Sequence, residues 1–303
     1  MAEITRKRTG ELLRRLFEIL KQYPDGLKAN NALEQLASSV EMTSHESGMY
    51  ESNGTSTRRF EKIVRFATID CVKAGWLVKH KGTWVITSEG ISAYDKIKDP
   101  ESFYKEAVRL YHKWKAQNQG AALKSNIEKN IEESTLQENN SVTFEQAEEQ
   151  AWAEVEKFLK SMNPYEFQDL VADLLKGMGY FVSWISPPGK DSGVDIIAFP
   201  DPLGTQVPRL KVQVKRHADA RVDRQTVQSF ISTIGDDDAG LFVATSGFTK
   251  DAEEHARSQE RRMIMLIDWE KFFELWIQFQ HKLDDNARRR FPITPIYFLT
   301  PTP

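Results

Sequence analysis

Asp195 and the segment RLKVQVKR at 209–216 carry residue types suited to hydrolysis at a metal. Seventeen residues lie between Asp195 and Gln213, and one lies between Gln213 and Lys215. A carboxylate, an amide carbonyl, waters and a phosphate oxygen are hard donors that suit a divalent ion. Such an ion lowers the pKa of a bound water and stabilises charge on a phosphate. A lysine beside it positions the water or stabilises a pentavalent transition state. The spacing alone fits an exposed, charged strand face equally well. Glu166 is a further candidate. It precedes Leu170 by four residues and Leu174 by eight, near the edge of a helical apolar stripe. An acid there needs a metal, a lysine or backbone donors. An N-terminal helix acid balanced by the helix dipole is the plainer alternative.

A second set of residues is cationic. Arg58, Arg59, Lys62 and Arg65 fall at the start and on the polar side of a helix expected over 58–74. Lys79 and Lys81 fall on a hairpin expected in WLVKHKGTWVITSEG. Helices followed by such a hairpin outline a winged helix, in which one helix enters the major groove and the wing touches backbone. The six cations form a phosphate-contacting set in that outline. The alternative is a solvated helix face and a polar turn.

Other candidates carry less. The six histidines, at 45, 80, 112, 217, 255 and 281, show no i, i+4 metal pair. His217 reads as a surface residue near Lys215, and Asp191 as a turn residue in DSGVD. Ser246 or Thr249 caps the helix after 245, whose N-terminus could hold a phosphate. No GKS/T phosphate loop occurs, so no nucleotide is expected. Cys71, the single cysteine, lies on an apolar helix face and reads as core. It excludes an internal disulfide and any zinc site with two thiolates.

Four zones position these residues. Residues 1–95 read as a mainly helical winged-helix domain, with Leu12, Leu13, Leu16, Phe17 and Leu20 at helical spacing. Residues 41–57 read as a loop. Residues 96–155 read as a helical acidic connector whose aromatics pack on the first domain. The stretch 118–142, rich in Asn, Gln and Glu, reads as a hinge or a partly disordered segment. Residues 156–283 read as an α/β domain, and 284–303 as a tail. In the α/β domain, Asn163 caps a helix that begins at Pro164. Strands follow at 180–185, 192–199 and 209–216. In the last, Lys211, Gln213 and Lys215 share one face and Leu210, Val212 and Val214 the other. Pairing of the last two strands brings Asp195, Gln213 and Lys215 together.

The composition is that of a globular chain, with 303 residues, 40% hydrophobic and 28% charged. No apolar run is long enough to span a membrane, and the N-terminus lacks a secretory h-region. A cytoplasmic location is expected. The net charge of −3 conceals an uneven spread. Residues 120–160 hold nine acidic side chains against four basic, and residues 1–95 hold twelve against fourteen. The acidic stretch can therefore hide a basic face, and restraint of the chain's activity by that stretch is one hypothesis it motivates.

From Asn163 to about Trp276 the chain resembles the Mrr-like restriction endonucleases of the PD-(D/E)XK nuclease superfamily. The matching segments are PYEFQDLVADLLKGMGY, GKDSGVDII, KVQVKR and AGLFVATSGFTKDAEEHA. The winged-helix outline and the length also resemble the family's two-domain arrangement. The resemblance implies a mixed central sheet flanked by helices, in a restriction-endonuclease-like fold. It places Asp195 as the metal-binding aspartate, Lys215 as the catalytic lysine and Glu166 as a helix acid of the site. Gln213 stands where most of the superfamily has an acid; glutamine is usual in the Mrr-like branch.

The expected function is therefore Mg²⁺-dependent, or Mn²⁺-dependent, hydrolysis of double-stranded DNA in restriction or defence, with modified DNA as a preferred target. Asp195, Gln213 and Glu166 would hold the ion. Double-strand cutting implies a homodimer or higher homo-oligomer. A different expectation is a non-enzymatic DNA-binding regulator whose α/β domain dimerises or senses.

Overall fold

A computed structural model describes residues 4–52, 55–118, 127–189, 193–216 and 220–297, with side chains left undescribed at 50–52, 55–57, 118 and 127–143. Two compact units divide the chain, one reaching Trp152 and the other covering Ala153–Ile296. Among the described residues no helix is long and apolar enough to cross a membrane.

The first unit orders its elements as α1 (Arg6–Leu20), β1 (Leu27–Lys28), α2 (Ala29–Ser39), β2 (Met49–Ser52), β3 (Thr55–Arg58), α3 (Arg59–Lys73), β4 (Leu77–His80), β5 (Thr83–Ile86), α4 (Ser88–Lys96) and α5 (Pro100–Asn118). The apolar stripe of α1 buries Leu12, Leu13, Leu16, Phe17 and Leu20. Leu33, Leu36, Phe60, Val64, Trp76 and Trp84 complete the core. Burying side chains of this kind stabilises by roughly 1.5–3 kcal/mol each. Helix α3 stops at a Schellman cap. Gly75 sits at φ 78°, its N–H donates to Val72 C=O, and Trp76 N–H donates to Cys71 C=O. The sheet β1-β5-β4 is antiparallel. Its wing turns on Lys81 and Gly82 at φ 49° and 70°, the paired left-handed positions of a tight hairpin. This is a mainly helical unit with the winged-helix order of elements. Cys71 is buried, and that burial pushes its thiol above its ordinary value.

Two sequence expectations change here. The stretch 41–57 is not all loop: β2 and β3 pair as an antiparallel hairpin. Thr55 and Thr57 are strand formers, and Met49 pairs with Arg58. The connector joins the first unit as far as Trp152, and its aromatics pack there as expected. Phe103 on α5 is fully buried, edge-on to Phe17 at 5.2 Å and 4.9 Å from Trp76. The stretch expected as a hinge enters α6 (Ile127–Ser161), one helix without Gly or Pro; residues 119–126 lie outside the described residues.

The second unit holds the last turns of α6, then α7 (Pro164–Gly177), β6 (Phe181–Ile185), β7 (Ile196–Phe199), β8 (Arg209–Lys215), α8 (Arg224–Ile231), β9 (Asp238–Ala244), α9 (Lys250–Arg257), β10 (Met263–Asp268), α10 (Trp269–Phe279) and α11 (Asp285–Arg290). Its sheet runs β10-β9-β8-β7-β6. Strands β8, β9 and β10 are parallel; β7 and β6 are antiparallel to their neighbours. This is the mixed sheet with helices expected for a restriction-endonuclease-like domain. The expected tail is partly core. Phe291 is buried, 5.4 Å from Trp276 and stacked on Phe158 at 5.5 Å, and Arg290 pairs with Asp173. Its apolar ring after a capped turn explains the docking, since Asp284 accepts from Ala287 N–H.

Candidate functional site

The site is built from α7 inward. Asn163 Oδ1 accepts from Tyr165 N–H at 2.9 Å, and Pro164 opens the helix. Phe167, Leu170, Val171, Leu174 and Leu175 are buried, with Phe167 5.4 Å from Phe272 of α10. Two neighbouring polar residues then diverge. Glu166 is exposed on the first turn. Gln168 is buried and donates from Nε2 to Ser186 C=O at 2.9 Å. Ser186 N–H in turn donates to Asp195 C=O at 2.8 Å. Gln168 went unmarked in the sequence because its one distinguishing property, a polar amide inside an apolar stripe, resembles a stripe edge until the strand partner is known.

Asp195 is fastened to β8 at two points. Its N–H donates to Val212 C=O at 2.7 Å, and its Oδ2 accepts from Val214 N–H at 2.7 Å. Val212 and Val214 flank Gln213, so Asp195 lies beside Gln213 on the neighbouring strand. Strand alternation puts Lys215 on the same face as Gln213. Buried Leu210 and Val212 confirm which face is core. Thr245 N–H donates to Lys215 C=O at 3.1 Å, continuing the parallel pairing of β8 with β9. Lys215 also helps to hold the Asp223 carboxyl low, after the Thr226 hydroxyl and N–H. Thr249 caps α9, accepting from Ala252 N–H at 3.3 Å. Ser246 does not cap; its buried Oγ has no hydrogen-bond partner among the described residues. Lys190, Asp191, Ser192 and His217 lie outside the described residues.

The same strand face ends differently at Lys211. Its Nζ lies 2.8 Å from Asp238 Oδ2 and 2.8 Å from Thr233 O. Arg209 grips the same carboxylate at 2.8 and 3.2 Å. Burial pushes the Asp238 carboxyl up, but Arg209, Lys211 and Gly235 N–H together hold it well below the usual carboxylate range.

Asp195 and Gln213 offer carboxylate and amide oxygens, a hard donor set that fits Mg²⁺ and leaves room for waters. Among the described residues no group of three or more His, Cys, Asp or Glu side chains could hold a metal. Gln213 falls outside that count, so an ion held by this pair would meet a single carboxylate charge.

The six cations of the first unit separate into two groups. Arg58 Nε lies 2.7 Å from Glu61, and Arg59 is exposed with Nη1 3.4 Å from His45 Nδ1. Lys62 Nζ lies 5.7 Å from the Phe66 ring. Arg65 is only 3% exposed, held by Glu145 at 3.1 Å and Glu149 at 2.8 Å. Lys79 Nζ lies 2.7 Å from Glu145, and Lys81 Nζ sits 4.4 Å over the Trp152 ring. The structure thus gathers Asp195, Gln213 and Lys215, leaves Glu166 on the surface, and engages three of the six cations with α6.

Residues 159–276 match the family model described as a restriction endonuclease of the Mrr catalytic type. Residues 10–96 match the Mrr N-terminal domain. Together the two matches cover more than half of the chain. A type IV methyl-directed restriction enzyme of Escherichia coli strain K12, EcoKMrr, is 32% identical over 132 residues, 41% of this chain. The match spans 41% of that relative's length. The MspJI restriction endonuclease, solved with a 27-mer oligonucleotide, aligns over 69% of this chain and 47% of its own. The two align with a TM-score of 0.32 at 16% identity.

Proposed function

Since the chain belongs to the Mrr family of restriction endonucleases, we propose that it cuts double-stranded DNA with Asp195, Gln213 and Lys215 at a divalent-metal site. The carrying observation is the double attachment of Asp195 to β8 on both sides of Gln213. Asp195 and Gln213 would hold Mg²⁺ or Mn²⁺, with Glu166 reaching in through water or on DNA binding. When bound, the ion supplies an acidified water and charge neutralisation at the phosphate. The chain's own contribution is placement. Val214 N–H fixes the Asp195 carboxylate, and the Gln168–Ser186 link holds the end of β6 against α7. The Lys215 ammonium meets the negative charge that grows on the phosphate oxygens as water attacks and the P–O bond breaks.

In this reading the winged helix reads the duplex through Arg58, Arg59, Lys62, Arg65, Lys79 and Lys81. Two copies act together for a double-strand cut, in the cytoplasm. The methyl-directed action of the Escherichia coli relative makes methylated DNA the first substrate to try. Plasmids bearing adenine or cytosine methylation, and unmodified plasmid, are incubated with the protein in Mg²⁺ or EDTA, beside Asp195→Ala. The reading expects cutting only with metal and only by the parent. Equal cutting by Asp195→Ala would reject this site. Binding without any cutting would favour a DNA-binding regulator.

A further inference from the structure

The acidic side of α6 lies on the very cations that a DNA-reading winged helix would use. Glu145 alone makes three contacts: Arg65 Nη1 at 3.1 Å, Lys79 Nζ at 2.7 Å and Trp84 Nε1 at 3.1 Å. One turn on, Glu149 takes Arg65 Nη2 at 2.8 Å. Trp152 lies under the Lys81 ammonium at the tip of the wing. A Cβ on Gly82, at that tip, would fall 3.2 Å from Glu149 Cβ, so helix and wing are in direct contact. The elements touched are α3 and the hairpin β4–β5, the two that a winged helix lays on a duplex.

We infer that Glu145, Glu149 and Trp152 of α6 form an autoinhibitory strap that occupies the DNA-contacting cations Arg65, Lys79 and Lys81 and must leave before the wing can close on a duplex. The inference rests on the winged helix being the DNA reader. The carboxylates stand where phosphate oxygens would stand, at the same hydrogen-bond lengths and with the same charge. Duplex DNA therefore competes with the strap rather than adding to it. The contact is also an imperfect one. Arg65 Nε is buried with no hydrogen-bond partner among the described residues, and burial pushes the Glu149 carboxyl up against the pull of Arg65. Burial likewise pushes the Lys79 ammonium down against the pull of Glu145. Charges buried at such cost are readily exchanged for a polyanion that brings many phosphates at once. Arg58 and Arg59, outside the strap, remain to make first contact.

The test measures binding of the full-length chain to a fluorescent 30-base-pair duplex at several salt concentrations. It compares the parent with the Glu145→Ala/Glu149→Ala double variant. A strap closed nine-tenths of the time weakens apparent binding about tenfold, so the double variant binds about tenfold more tightly. Both proteins bind with Arg65 and Lys79 on phosphates, so the affinity gap narrows as salt loosens the strap's ion pairs. A structural brace gives no tighter binding at any salt. A second variant, Glu145→Gln/Glu149→Gln, guards against misfolding, since it keeps the side-chain size and a hydrogen-bonding oxygen while removing the charge. It is expected to bind DNA more tightly than the parent. If the parent binds and neither variant shows these changes, the strap is refuted while the DNA reader stands. If neither parent nor variants bind any duplex, the reader and the strap fall together.

Discussion

Lys211 and Lys215 occupy the same face of β8, two alternations apart, yet their surroundings differ. Lys211 meets a buried carboxylate, Asp238, together with Arg209 and a backbone carbonyl. That end of the strand is a closed ion cluster, and its charges hold β8, β9 and the turn before β9 together. Lys215 stands at the end where Asp195 is tied down beside Gln213. Its strand neighbours on that face are a carboxylate and an amide, the oxygen types a metal ion prefers. A charge ringed by protein partners holds the fold, and the proposed function asks a different task of one set beside such oxygens. Spacing along a strand cannot separate the two; only the partners can.

Exchanging the fates of the two lysines is the strongest way to break that contrast. Lys215→Ala is expected to lower cleavage of a methylated plasmid by about a thousandfold, the range seen when one charge-stabilising group is lost. Its melting temperature should match the parent's. Lys211→Ala should do the reverse, keeping cleavage within about threefold at a temperature where it is folded. Loss of similar activity in both variants would erase the distinction.

Asp238 sharpens the closed end. Asp238→Asn leaves Arg209 and Lys211 without their anion. It should cost about 1–2 kcal/mol, read in urea unfolding, because Lys211 loses its partner while Arg209, 40% exposed, is partly screened by water. The pH dependence carries its sign. The folded carboxyl is held below its unfolded value, so its stabilisation is complete above the unfolded pKa of about 4 and fades as pH falls toward the folded one. The parent's advantage over Asp238→Asn should be flat from about pH 7 to 5 and shrink below about pH 4. An advantage that grew with acid would refute the ion cluster.

The contrast also marks what the sequence could show. The Asn163–Pro164 start of α7, the glycine stop of α3 and the alternation of β8 are local signals, each written within a few residues, and each was legible. The partners of the charges were not. Arg65 meets Glu149 across 84 positions, and Arg209 meets Asp238 across 29. Nothing in a basic helix face says whether acid from far along the chain will cover it. The continuity of α6 was missed for a related reason. Asn and Gln weaken helix propensity only by tenths of a kcal/mol, about as much as a neighbouring contact restores.

At the open end the effects become smaller and turn on metal affinity. Gln213→Glu adds a second carboxylate beside Asp195, so half-maximal cleavage should need several-fold less Mg²⁺. The smallest effect is expected at Glu166. Its side chain is exposed on the first turn of α7, while its neighbour Gln168 reaches Ser186 and through it Asp195. A ligand that acts through water contributes little charge at the ion. Glu166→Gln should therefore raise the Mg²⁺ requirement by about threefold and leave the melting temperature unchanged. Gln168→Ala, on the same helix, should instead lower the melting temperature by a few degrees, because it removes a buried hydrogen bond to the Ser186 carbonyl. If Glu166→Gln abolished cleavage, the acid would have to reach the ion directly once DNA is bound. The open end of β8 would then be completed by α7 in the working complex, much as Asp238 completes the closed end.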